Sequence, residues 1–203
     1  VALPPASRPN RAPVAPPAEQ GHADAQYHLA VSYDDGEGVP QDFKQAVYWY
    51  TQAANQGLAK AQYNLGVSYD KGEGVAKDHQ MAAQWYRKAA EQGHADAQYN
   101  LGNMYREGQG VYQDAQQAVA WYRKAAAQNN AKAQNNLGLM YYSGNGVRKD
   151  IVLAYMLLNL SAANGHEDAA MMRANITREM TPRQIEEAQS MARTWKPGTP
   201  LPS

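Results

Sequence analysis

The 203-residue chain contains no cysteine, one phenylalanine and no stretch of apolar residues long enough to span a bilayer. Lack of cysteine excludes a disulfide framework, a thiolate zinc site and a Cys nucleophile. A membrane-spanning helix needs about 20 consecutive apolar residues; at a mean hydropathy of −0.70, no window here meets that requirement. Charge of one sign is also missing: 19 Lys and Arg stand against 19 Asp and Glu. The basic residues are scattered in pairs such as Arg87-Lys88 and Arg123-Lys124. No field therefore draws the chain to nucleic acid, and nucleic acid is not expected as a partner. K-T-G, H-E-x-x-H and G-x-x-x-x-G-K-[ST] do not occur, so β-lactamase, zincin and P-loop chemistries each lack a required element.

What the chain has in abundance is itself. A 36-residue pattern starting at Gly21 recurs at Gly57, Gly93 and Asn129. Each copy carries an Ala pair (Ala23/Ala25 in the first), a Leu with a small neighbour (Leu29-Ala30, Leu65-Gly66, Leu101-Gly102, Leu137-Gly138), and then a Tyr. After these come G-x-G-V, an Asp (Asp42, Asp78, Asp114, Asp150) and, in three copies, a Trp-Tyr pair at 49/50, 85/86 and 121/122. A period of this length marks a stacked repeat array.

Spacing within the copy predicts two helices. Ala25, Leu29 and Tyr33 recur at i, i+4 and i+8; Ala46, Trp49/Tyr50 and Ala53 recur at i, i+3/i+4 and i+7. We call these the A and B helices. The intervening glycines suit a turn, and the following Asp suits an N-cap. Gly57, Gly93, Asn129 and Gly165 mark the end of each B helix, Asn being the other residue that tolerates a left-handed C′ position. Gly66, Gly102 and Gly138 lie inside A helices, where Gly costs up to about 1 kcal/mol against Ala, so the partner helix is expected to approach closely there.

The motif at 95–126, A-x-A-Q-Y-N-L-G-x-x-Y-x-x-G-x-G-V-x-x-D-x-x-x-A-x-x-W-Y-x-K-A-A, resembles the Sel-one-like repeat (SLR), a relative of the tetratricopeptide repeat. The resemblance implies an all-α, right-handed α-α superhelix of four helix pairs (21–56, 57–92, 93–128, 129–164). It is closed by a capping pair over 165–195, where Thr181-Pro182-x-Gln184 reads as an N-cap, a Pro at the first helical position and a Gln at N3. Residues 1–20, with Pro at 4, 5, 9, 13, 16 and 17, read as a disordered linker, and 196–203 as a flexible tail. The cysteine-free composition departs from cysteine-rich secreted SLR proteins. Copy four also departs, with Tyr155-Met156-Leu157-Leu158 in the Trp-Tyr region and Asn135 at the first Tyr position.

If the helices stack as in tetratricopeptide arrays, the A helices line a concave groove. Its expected contact residues are His28, Asn64, Asn100 and Asn136, with Tyr27, Tyr63 and Tyr99 beside them and Asn103, Arg106, Leu139 and Tyr142 supplying selectivity. Asn carries both a donor and an acceptor and can pair with the backbone of an extended ligand. Two readings of this ladder stand open: ligand contact, or bonds to the neighbouring helix that fix the stacking. Likewise Tyr27, Tyr63 and Tyr99 read as packing residues with hydroxyls at the rim. His22, His94 and His166 share one repeat position and stand too far apart to share a metal; neither metal nor cofactor is expected.

The expected function is a non-enzymatic scaffold, monomeric, holding a peptide or protein segment. The resemblance and the chain's Val start place it in a periplasmic or secreted bacterial setting. An envelope enzyme or glycan binder acting on peptidoglycan or β-lactams is the alternative.

Overall fold

The structure, a computed structural model, describes residues 18–202. Among these, ten helices follow one another: α1 (Ala23–Asp35), α2 (Phe43–Asn55), α3 (Ala59–Lys71), α4 (His79–Glu91), α5 (Ala95–Glu107), α6 (Ala115–Ala127), α7 (Ala131–Ser143), α8 (Ile151–Ala163), α9 (Glu167–Thr177) and α10 (Pro182–Thr194). The odd-numbered members of the first eight are A helices and the even-numbered ones B helices. Each of α2 to α9 packs on the helix before it, and α10 packs on α8 rather than on α9. The result is an all-helical solenoid of four pairs with a terminal pair.

The local chemistry expected of each boundary is present. Asp42, Asp78, Asp114 and Asp150 each cap a B helix, accepting the amides two and three residues on at 2.9–3.1 Å. Asn129, at φ 67°, is the single described non-glycine residue with positive φ, and it replaces Gly57, Gly93 and Gly165 of the sister repeats. Thr181 and Gln184 form a reciprocal capping box with Pro182 at the start of α10.

Inside the array, Tyr50, Tyr86 and Tyr122 are buried to within 1% of complete. The helical glycines are where they are because of these rings. A Cβ on Gly66 would lie 2.7 Å from the Tyr86 ring, and one on Gly102 the same distance from Tyr122. In copy four the ring gives way to Leu158, and α8 is buried nearly all round from Leu153 to Leu158, because α9 and α10 cover the flank that other B helices expose. The departure of copy four from the pattern is thus cap packing.

A buried amide ladder runs through every joint. Gln26, Gln62, Gln98 and Gln134, at most 5% exposed, donate Nε2 to Ala18, Ala54, Ala90 and Ala126 O at 3.0–3.2 Å. Each accepts at Oε1 from the residue closing its own B helix, Gln56, Gln92, Gln128 or Asn164, at 2.7–2.9 Å. The residue at Ala18 therefore occupies the place of Ala54, and Ala18–Glu19 are helical. Residues 18–20, assigned to the linker from sequence, belong to the array. The remainder of that linker, 1–17, and Ser203 lie outside the described residues. The segment expected as a flexible tail is bonded to the body: Gly198 N–H donates to Ala127 O at 2.7 Å, and Arg123 donates to Pro202 O at 3.2 Å. Among the described residues no helix is long and apolar enough to cross a membrane.

Two comparisons test this packing. The second glycine of each turn has positive φ, yet a Cβ on Gly74 would lie 2.1 Å from Phe43 O whereas one on Gly38 would meet nothing within 4 Å. Gly38→Ala should cost only the left-handed strain, about 1–2 kcal/mol, and Gly74→Ala considerably more, read as the difference in urea midpoint. Gln98→Met removes one of two bonds to the Ala90 carbonyl, the other coming from Gly93 N–H at 3.0 Å, and should cost about 1 kcal/mol, while the exposed Gln128 amide turns to water.

Candidate functional site

The A-helix residues singled out from sequence fall on one line, and the tyrosines of the B helices hold them. Asn64 Nδ2 donates to Tyr50 OH at 2.9 Å, and that hydroxyl donates onward to Asp34 Oδ2 at 3.1 Å. Asn100 stands beside the Tyr63 and Tyr86 hydroxyls and works to lower the pKa of both. Asn136 Nδ2 reaches Tyr122 OH at 3.4 Å and Asn103 Oδ1 at 3.2 Å; Tyr122 OH donates to the same Asn103 oxygen at 2.5 Å. Asn64 and Asn136 are thereby each fixed by a phenol of the preceding copy.

Burial raises the pKa of all three phenols. The carboxylates Asp34 and Asp70 push Tyr50 and Tyr86 further in that direction, whereas Arg106 opposes the rise at Tyr122, which stands at about 12. The hydroxyls stay protonated at any physiological pH. Burial likewise raises the Asp34 carboxyl, with the Tyr50 bond opposing it.

The remaining expected residues are distributed around this line. Tyr27, Tyr63 and Tyr99 are half-buried, their rings 5.9–6.0 Å from those of Tyr50, Tyr86 and Tyr122. His28 is exposed and edge-on to Tyr27. Arg106 pairs with Glu107, Tyr142 donates to Glu179 in the capping pair, and Leu139 is half-buried. Asn100 and Asn103 meet in a polar recess of about 160 Å³ whose other walls include Asp70, Tyr86 and Glu107. Arg106, Leu139 and Tyr142 do not line it. Of the carboxylates of this recess, Asp70 falls at the A-helix position that Asp34, Arg106 and Tyr142 hold in the other copies, whereas Glu107 was not singled out from sequence.

The departure noted at Asn135 also has a structural counterpart. Asn135 takes the place of Tyr27, Tyr63 and Tyr99, is 7% exposed, and its Oδ1 is buried without a hydrogen-bond partner. The signal was legible: the copy with Asn in place of Tyr at 135 also has Leu158 in place of the phenol that Tyr would stack against.

The arrangement offers neutral donors and acceptors beside carboxylates, and no nucleophile with a base. A tetrapeptide of the S-x-x-K form occurs at Ser68–Lys71, but the buried Ser68 Oγ donates to Asn64 O at 3.1 Å and the exposed Lys71 pairs with Glu73. Among the described residues no group of three His, Cys, Asp or Glu converges on a point. His94 instead caps α5, accepting from Ala97 N–H, and stacks on Tyr63 at 4.6 Å.

A solenoid of 36-residue helix pairs with a polar ladder along its A helices defines a repeat scaffold rather than a closed pocket. The Sel1 repeat family matches residues 23–58, 59–94, 95–130 and 131–166, and the chain belongs to that family. Its repeats begin two residues later than the sequence reading placed them, with the same period. A Sel1 repeat protein from Oxalobacter formigenes is 37% identical, with a TM-score of 0.78 over 87% of this chain and 76% of that one. The c5321 protein, a protective antigen present in uropathogenic Escherichia coli strains and displaying an SLR fold, is 35% identical at a TM-score of 0.54; the match covers 85% of this chain and 45% of that one. Helicobacter pylori cysteine rich protein B is 28% identical at a TM-score of 0.52, over 68% of this chain and 98% of that one. No curated protein matches the chain. Sel1 repeat proteins are generally protein-interaction scaffolds, and a protein partner is what this fold implies.

The half-buried His94 gives the array a pH response. Burial lowers its pKa from the usual 6.5, Asp96 opposing and Lys60 adding to the effect. As pH falls through about 6.5 the unfolded chain takes up a proton that the folded chain refuses, so this contribution to stability is present above that pH and lost below it. Asn130 performs the same capping role in copy four, accepting from Ala133 N–H at 2.9 Å. His94→Asn should keep the cap and show a smaller drop in urea midpoint than the parent between pH 7.5 and 5.5.

Proposed function

We propose that the chain is a non-enzymatic scaffold that holds an extended peptide or protein segment along the face formed by its A helices, taken as the concave one. The observation that carries this reading is the orientation of the amides: Asn64 and Asn136 are each held by a buried phenol of the preceding copy at 2.9–3.4 Å, and Asn100 stands beside the Tyr63 and Tyr86 hydroxyls. An amide has two N–H groups and an acceptor oxygen. A phenol bond directs the amide without using all of them, so the cost of ordering it is met before a ligand arrives. The two roles left open by sequence are therefore compatible, and the bond to the neighbouring helix is what aims the contact.

The recess beside Asn100 and Asn103 supports the choice of partner chemistry. Asp70 and Glu107 on its walls favour a donor, either a backbone N–H or a basic side chain. His28, Arg106, Leu139 and Tyr142 would sort ligands at the ends of the line. Each net hydrogen bond contributes about 1 kcal/mol, so three or four give weak affinity, no tighter than micromolar unless an anchor side chain is seated. Neither a cofactor nor a metal enters this mechanism. A bacterial envelope or secreted setting, and a monomer, complete the proposal.

The test is an affinity capture from source lysate with the parent and with the triple variant Asn64→Ala, Asn100→Ala, Asn136→Ala, each shown by circular dichroism to be helical. The reading expects a defined partner to be lost by the folded variant. Capture of the same partners by both proteins would overturn it.

A further inference from the structure

The segment after α10 shows how this array handles an extended chain, and it does so on the B helices. Residues 198–202 run antiparallel to α6: Gly198 N–H is received by the helix-terminal carbonyl of Ala127, and one turn back Arg123 donates to Pro202 O. Leu201 between them joins the apolar cluster that contains Val119, Tyr141 and Leu153. Arg123 is set for this by Tyr141, whose hydroxyl accepts from Nε at 2.9 Å and whose ring lies 5.5 Å below the guanidinium.

A related surface exists one copy earlier, and among the described residues no segment of the chain lies on it. The polar pair is kept 36 positions upstream, Arg87 for Arg123 and Tyr105 for Tyr141, whereas Ala83 and Gln117 stand in place of Val119 and Leu153. Arg87 donates to the Tyr105 hydroxyl and lies 5.8 Å over that ring, and the carbonyl of Glu91, the last residue of α4, stands where that of Ala127 receives Gly198. Between them is a cavity of about 410 Å³ lined by Gln84, Arg87, Lys88, Glu91 and Val111, with the small Ala83 at the position of Val119. Copies one and four cannot build this site, because Thr51 and Asn159 replace the arginine.

We infer that the groove along α4, closed by the turn at Gly110-Val111, is a second binding site, distinct from the A-helix face, for an extended proline-containing segment of the kind Gly-x-Pro-apolar-Pro. The chemistry follows from the occupied copy. A backbone N–H meets the free carbonyl at the end of α4, a carbonyl four residues on meets Arg87, and an apolar side chain between them enters the cavity over Ala83 and Val111. Prolines flanking that side chain suit the groove because they carry no N–H to desolvate and hold the segment extended in advance.

A fluorescein-labelled peptide of residues 196–203, Lys-Pro-Gly-Thr-Pro-Leu-Pro-Ser, titrated with the full chain and followed by polarisation, tests the inference. Saturable binding is expected, weakened at least tenfold by Arg87→Ala and by Gln84→Trp, which fills the cavity without touching the arginine. The triple Asn variant of the A-helix face should bind the peptide as the parent does, which separates this site from the one proposed above. Gly198→Pro removes the N–H that docks the chain's own segment and should raise the stoichiometry from one peptide to two. No saturation up to millimolar protein, or binding unaffected by both Arg87→Ala and Gln84→Trp in folded protein, would overturn the inference.

Discussion

Each joint of this solenoid is locked by a glutamine that is buried and still fully engaged. Its amide N–H crosses to a carbonyl at the end of the previous B helix, and its oxygen receives the side chain that ends its own B helix. That carbonyl already accepts the backbone N–H three residues on, as Ala54 O does from Gly57, and the glutamine of the next repeat adds a second bond to it, so the termination of one pair and the start of the next are tied together. Apolar contacts between Ala-rich faces supply area without choosing a register. The glutamine chooses it, since a shift of one residue would leave a buried amide unpaired at a cost of about 1–3 kcal/mol.

The phenols extend the same logic to the surface. Tyr50, Tyr86 and Tyr122 fill the space that Gly66 and Gly102, or the small Ala30, leave open, and their hydroxyls emerge where the next A helix presents an asparagine. Core packing and the direction of a surface amide are thereby one interaction. On the opposite side Arg87 and Arg123 are aimed in the same manner, by Tyr105 and Tyr141. The array has two families of polar side chains, one on each set of helices, and both are oriented across a repeat boundary by a tyrosine. Neither can be read as a property of a single repeat.

Much of this was legible in the residues. Helix number, the Asp caps, the left-handed role of Asn129, the capping box at Thr181 and the close approach at Gly66 all follow from local rules that need a few neighbours only. What sequence could not supply depends on contacts that cross between helix pairs, from 8 to 79 residues apart. The invariant glutamine was visible at 26, 62, 98 and 134, but a polar residue in an apolar stripe reads as surface until the carbonyl it meets is placed. Ala18 was lost among prolines although Ala18-Glu19-Gln20-Gly21 repeats Ala90-Glu91-Gln92-Gly93 letter for letter. The segment at 196–202, rich in Pro and Gly, reads as a loose end because composition does not reveal the arginine that receives it.

The glycine that distinguishes copy one from the rest bears on how such a chain lengthens. Gly74, Gly110 and Gly146 are pressed against the backbone of the preceding B helix, whereas Gly38 is shaped for the same contact and has open space before it. A unit of 36 residues thus carries a complete donor half of a joint on its leading edge and a complete acceptor half on its trailing edge. Duplicating copy two or three would insert a new unit whose two joints are already compatible with its neighbours. Copy four, with Leu158 in place of the phenol, lacks that property. Array length can therefore drift by whole repeats within the body while the capping end stays fixed, so that reach along a partner changes in steps without any joint being redesigned.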